Sequence, residues 1–135
     1  MNEQNINPGI FGLGNPNNAY SQYFSGRSWL KMLTVERLVT ANVTFEAGGC
    51  RNNWHVHHKG GQILLVTAGR GWYQAYGEPP RSLKPGDVVN IPPEVKHWHG
   101  AAKDSSFAHI AIEVPAEGSS NEWLEPVSDE DYAKL

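Results

Sequence analysis

The stretch Asn53-Trp54-His55-Val56-His57-His58-Lys59-Gly60-Gly61-Gln62-Ile63-Leu64-Leu65-Val66-Thr67-Ala68-Gly69-Arg70-Gly71-Trp72-Tyr73-Gln74-Ala75-Tyr76 decides the fold. It holds three short runs of strand-forming residues cut by Lys59-Gly60-Gly61 and Gly69-Arg70-Gly71. Glycine pairs at that spacing end strands and start turns. The pattern continues outward. Candidate strands are Trp29–Thr34, Arg37–Phe45, Asn53–His57, Gln62–Ala68, Trp72–Tyr76, Asp87–Ile91, His97–Ala102 and Phe107–Val114. Many short strands with close, even turns predict an all-β sandwich or small antiparallel barrel. Helical periodicity is absent until the tail, where Ser128 is placed to cap a short C-terminal helix over Asp129–Lys134. Residues 1–26 are rich in Asn and Gly, with Pro8 and Pro16, and predict an extended arm ahead of one domain spanning 27–135. That arm either packs on a partner subunit or lies loose.

All six histidines fall between His55 and His109. Alternate residues of a strand share a face, so His55-Val56-His57 puts two imidazoles on one side, and His97-Trp98-His99 repeats the pattern. Imidazole is the commonest protein metal ligand, and two such pairs in one small barrel point to a shared metal site. His58 has the opposite parity and is expected outside. On Phe107–Val114, one face reads Phe107, His109, Ala111, Glu113 and the other Ala108, Ile110, Ile112, Val114. The mixed face suits either open water or a polar cavity, and the clustered histidines point to the cavity. The apolar face needs a second sheet or subunit, which predicts a homodimer.

Composition narrows the function. A chain of 135 residues with 39% hydrophobic and 19% charged residues is one globular domain. With 11 Lys+Arg against 14 Asp+Glu, it lacks the basic excess of a nucleic-acid binder or polybasic membrane module. The single Cys50 excludes an internal disulfide framework and is expected to be a small buried residue. No apolar run approaches bilayer length, and the first 26 residues carry no Lys, Arg or apolar signal core. The expected partner is a small-molecule substrate in the cytoplasm, not nucleic acid or membrane.

Spacing adds a family. Gly49 precedes His55-x-His57 by five residues, Gln62 follows after four more, and Gly69 after a further six. Gly86 precedes Pro92 by five residues, and His97 follows Pro92 after four. This resembles the two conserved boxes of the cupin superfamily, which implies a double-stranded β-helix (jelly-roll) barrel holding a metal. The resemblance assigns His55, His57, Gln62 and His97 as ligands of a divalent ion (Mn, Fe, Zn, Ni or Co). This chain departs from the pattern at three places: Gln62 stands for the usual Glu, Glu94 for a Gly, and Ala101 for an Asn. Glu94 puts the usual backbone shape of its turn in question. Gln62 leaves the ion's charge less compensated.

Segments Asn52–His55, Gly61–Leu64, Pro85–Val89, Lys96–Ala102 and Asn121–Pro126 look like small bacterial cupins linked to carboxymuconolactone decarboxylase. The same segments are similar to cupin hydroxynitrile lyases, whose metal set is His, His, Gln, His. These resemblances imply a metal-dependent lyase, decarboxylase-like or hydroxynitrile lyase-like, on a small polar or anionic substrate. His109 and His99 are the candidate acid/base residues, with orientation of a ligand as their other role. A metal-dependent dioxygenase and a non-catalytic small-molecule-binding cupin are the competing functions.

Overall fold

The computed structural model describes residues 6–135; the first five residues of the expected arm lie outside them. In chain order the strands are β1 Asn15–Pro16, β2 Phe24–Ser25, β3 Ser28–Thr34, β4 Thr40–Phe45, β5 Arg51–Asn52, β6 His55–His58 and β7 Gln62–Gly69. There follow β8 Gly71–Ala75, β9 Arg81–Leu83, β10 Val88–Ile91, β11 His97–Ala101, β12 Phe107–Glu113, β13 Ser120–Trp123 and the helix α1 Asp129–Tyr132. One sheet runs β1-β3-β4-β12-β7-β10. The other runs β13-β6-β11-β5-β2, with β8 pairing β11 and β9 alongside. The pairings are antiparallel, giving the all-β jelly roll expected from the sequence.

The sheets enclose a core of Phe45, Leu64, Val66, Leu83, Val89, Ile91 and Phe107. Clean alternation produces this on β7, where Gln62, Leu64, Val66 and Ala68 are buried and the intervening residues are not. A smaller cluster of Trp54, Trp98, Val127 and Tyr132 packs under the C-terminal segment. Arg51 fastens that segment, donating from Nε and Nη2 to the Val127 carbonyl and from Nη2 to Asp129 Oδ1 at 2.7 Å. Ser128 caps α1 as expected, its Oγ accepting from the Asp131 N–H at 3.0 Å.

Several boundaries differ from the expectation, each for a local reason. The strand expected at Arg37 begins at Thr40, because Arg37 turns the chain with φ 65°. Asn53 and Trp54 stand ahead of β6, since their N–H groups go to the Tyr23 and Glu125 carbonyls. The expected strand pattern omits β1, β2, β5, β9 and β13, all of two to four residues. Glu94 keeps the left-handed backbone of the glycine it replaces, with φ 66°. Its carboxylate holds that turn by accepting from the Lys59 N–H at 2.8 Å and pairing with His58 Nδ1 at 2.6 Å.

A register shift separates Ala108 from His109 on the β12–β7 ladder: Ala108 faces Ala68, whereas His109 faces Val66. Thr67 is thus the extra residue of a bulge. A one-residue slip exchanges the two faces of a strand, so the bulge sets which residues beyond it stand opposite one another. Gly69 beside it has φ 71°, and a Cβ there would overlap the Ser106 carbonyl.

The described part of the arm is fastened to its own barrel. Asn42, opposite Ile110 in the ladder, is fully buried and donates from Nδ2 to the Pro8 and Gly12 carbonyls at 3.1 and 2.8 Å. Removing those donors in Asn42→Ala should lower stability by about 1–3 kcal/mol, the usual cost of stranding buried polar groups. Chemical denaturation measures that loss, and faster proteolysis within residues 6–26 would accompany it.

Candidate metal centre

Four histidines of the β6–β11 sheet and one of β12 meet inside the barrel. On β6, His55 and His57 are buried while Val56 and His58 are less so; on β11, His97 pairs directly with His55. Among the described residues, His55, His57 and His97 bring one ligating nitrogen each within 4.8 Å of the others. The ring centroids of His55 and His97 are 4.1 Å apart.

Each of these rings has its Nδ1 committed. His55 Nδ1 lies 2.8 Å from the Asn53 carbonyl, His97 Nδ1 2.9 Å from the Val95 carbonyl, and His57 Nδ1 2.7 Å from Asn121 Oδ1. Those oxygens can only accept, so each Nδ1 carries the proton and each Nε2 keeps its lone pair. The Nε2 atoms of His57 and His97 are buried with no hydrogen-bond partner. Buried polar atoms are almost always satisfied, and stranded lone pairs beside a third imidazole are what a metal cation would fill. The donor set therefore fits a divalent ion.

Gln62 lines the same cavity and donates from Nε2 to Glu113 Oε1 at 2.6 Å. Its amide oxygen is thereby turned away from Glu113. Deeper in, His109 Nε2 lies 3.1 Å from His99 Nδ1. Asn52 Oδ1 accepts from the His99 backbone N–H at 2.9 Å, which leaves Asn52 Nδ2 to donate into the His99 ring, 3.2 Å from its Nε2. That amide nitrogen also lies 3.4 Å from His99 Nδ1, so the contact between the two rings can carry its proton on either one, and His109 Nδ1 is buried without a partner.

Burial sets the charge state. It lowers His97 to about 4 and His109 to about 3. Burial, followed by the charge on a neighbouring imidazole, holds His55 and His99 well below the usual histidine range. His58 behaves oppositely, as its parity predicts. It sits at the surface between Glu122 and Glu94, and hydrogen bonds to these two, Glu122 foremost, raise its pKa. Burial also pushes the Cys50 thiol up to about 12, which removes it as a nucleophile.

The cavity measures about 170 Å³, below the roughly 300–1,000 Å³ of ordinary ligand pockets, so its occupant is small. Histidines form one side; Phe24, Leu30, Val43, Ala111 and Trp123 make the rest largely apolar. Trp123 lies 4.7 Å from the His55 ring and stacks on Tyr23 at 4.6 Å. Sequence reasoning brought the six candidate residues to this region but missed the roles of Asn52, Asn121 and Trp123. Alternation in Asn121-Glu122-Trp123 was the available signal for the last two.

Comparison with known proteins agrees with this architecture. A family model described as Cupin domain matches residues 41–113. The chain is 47% identical over 94 residues to (R)-mandelonitrile lyase of Granulicella tundricola, covering 70% of each protein. It is 25% identical over 79 residues to acireductone dioxygenase of Bacillus pumilus, covering 56% of this chain and 42% of that one. A crystal structure of a cupin-like protein from Thermotoga maritima superposes with TM-score 0.84 at 45% identity, covering 93% of this chain and 95% of that one. DMSP lyase DddQ of Ruegeria pomeroyi shares the fold at TM-score 0.62 and 19% identity, covering 92% of this chain and 62% of that one.

The depressed histidines make the metal-free protein acid-sensitive. Between the unfolded value of about 6.5 and the folded values, the unfolded chain binds protons that the folded chain refuses. Stability is therefore greatest above about pH 6.5 and falls as the pH drops toward 4. His97 and His109 should each remove on the order of 2 kcal/mol between pH 7 and pH 5. Urea midpoints of metal-free protein across that range measure the slope, and His109→Asn should make it shallower.

Proposed function

The chain belongs to the cupin family, and from that premise we propose that it is a metal-dependent lyase acting on a small α-hydroxynitrile or a similar hydroxylated substrate. The observation that carries this reading is one small cavity lined by His55, His57 and a neutral His99–His109 pair, with His97 beside it completing a cluster of three imidazoles of fixed tautomer. Similarity to a mandelonitrile lyase over 70% of the chain supports the reaction class.

His55, His57, His97 and Gln62 would hold a divalent ion, which supplies Lewis-acid polarisation without changing oxidation state. The apolar wall around Phe24, Leu30 and Val43 receives the hydrocarbon part of the substrate and excludes water. His109 and His99 are neutral near pH 7, so together they can take the substrate hydroxyl proton and share it across their 3.1 Å contact. As the O–H electrons form the carbonyl, the carbon–carbon bond breaks and its pair leaves with cyanide. The histidine pair then returns the proton to cyanide, which balances the reaction.

A homodimer is also part of this proposal. Asn42 draws the arm over the face where Ile110 is buried, yet Val88 is exposed and Ile63, Leu65 and Ile112 are only partly covered. A second subunit on this apolar surface would complete the burial.

Metal analysis by mass spectrometry should find one divalent ion per chain, and His57→Ala should lose most of it. His109→Ala should keep the ion but cleave mandelonitrile about a hundred- to ten-thousand-fold more slowly. Wild-type metal content in His57→Ala would remove the ligand assignment. Cleavage should proceed without oxygen; a strict oxygen requirement with labelled oxygen in the product would favour the dioxygenase reading suggested by the second relative. Light scattering at low micromolar concentration should give the mass of a dimer.

A further inference from the structure

The cross-strand partner of Gln62 has a role that the four-ligand description leaves out. Gln62 and Glu113 stand directly opposite each other on the β7–β12 ladder. Their side chains meet at 2.6 Å, with the amide nitrogen donating to the carboxylate. A carboxylate accepts hydrogen bonds and donates none, so the contact is possible with only one face of the amide. Glu113 thereby fixes the Gln62 oxygen on the far side of its amide. Both residues line the cavity that His55 and His57 also line, and Gln62 is buried.

We propose that Gln62 and Glu113 act as one divided ligand, in which Gln62 supplies the metal-binding oxygen and Glu113 supplies the orientation and the negative charge. Glu113 is a positioning residue, since it acts through Gln62. The inference rests on the metal-site reading above and deepens it. A neutral amide is a weak oxygen donor. Hydrogen bonding of its N–H to a carboxylate draws electron density toward the oxygen and strengthens it, as outer partners do for metal-bound histidines. The negative charge that a directly ligating Glu would bring is moved one hydrogen bond back, where it still offsets part of the ion's charge.

Competition between the protein and a chromophoric chelator for zinc would test the division, with cobalt(II) absorption reporting the ligand set. Glu113→Ala should bind zinc about ten- to a hundred-fold more weakly, the usual effect of losing such a partner. Its cobalt spectrum should move to that of Gln62→Ala. Glu113→Gln can still accept from Gln62 through its amide oxygen. It should keep the wild-type spectrum and bind more tightly than Glu113→Ala. The exchanged pair Gln62→Glu with Glu113→Gln, which reverses the hydrogen bond at constant total charge, should bind zinc at least as tightly as wild type.

Wild-type affinity and spectrum in Glu113→Ala would overturn the proposal. So would equal losses in Glu113→Ala and Glu113→Gln without recovery in the exchanged pair, since that is the behaviour of a merely structural residue. Failure of wild type itself to bind zinc or cobalt would overturn the metal-site reading first. Thermal midpoints of the metal-free variants identify a folding defect; if Glu113→Ala does not fold, the Glu113→Gln and exchanged-pair results decide.

Discussion

Five imidazoles crowd a barrel interior with the Glu113 carboxylate at the edge of their cavity, and this constraint orders much of what surrounds them. A dry interior penalises charge, so His55, His97, His99 and His109 stay neutral. A neutral ring has one N–H and one lone pair, and both need a place. The Asn53 and Val95 carbonyls take the Nδ1 protons of His55 and His97, each from two residues earlier in the chain. Such a bond forms locally and costs little extra ordering. His57 has no such neighbour and depends on Asn121, 64 residues away on β13. The short β13 strand therefore matters to the centre more than its length suggests.

The two sheets contribute different chemistry. One carries His55, His57, His97 and His99; the other carries Gln62 and His109. Phe45 and Phe107 pack at the junction, their ring centroids 5.4 and 5.5 Å from His109. Those aromatic walls keep water from His109 and depress its basicity. The same walls hold its ring still, so it meets His99 and not solvent. Packing and acid/base character are here one property of the same contacts.

Strand parity made much of the centre legible in the sequence. Alternation alone placed His55 and His57 inside and His58 outside, and grouped His97 with His99 and Phe107 with His109. The nearness of the two boxes came from spacing and resemblance. What stayed hidden depended on pairing between distant segments. Asn121 and Trp123 sit on a four-residue strand with weak apolar character, and only its pairing with β6 gives them meaning. Arg51 looks like an ordinary surface residue until the Val127 carbonyl arrives to accept from it. Packing of the arm on its own barrel stayed hidden, because its anchor, Asn42, is a buried polar residue on another strand.

Glu113 shows how one backbone irregularity can decide electrostatics. Parity placed it on the His109 face, but parity cannot name a cross-strand partner. Before the bulge, Phe107 faces Gly69; after it, each β12 residue faces a β7 residue one place nearer the N-terminus than an unbroken ladder would give. Unbroken, the ladder would set Glu113 against Ile63, whose side chain belongs to the opposite face. The extra residue at Thr67 brings Glu113 opposite Gln62. A carboxylate in direct contact with a cation interacts more strongly than one a hydrogen bond away, because the energy falls with separation and is screened by what lies between. The proposed Gln62–Glu113 pair therefore leaves the centre more positive than a directly ligating Glu would, and less positive than an isolated amide. A site of that intermediate strength can favour negative charge developing on a substrate oxygen without holding an anionic product too tightly to release it.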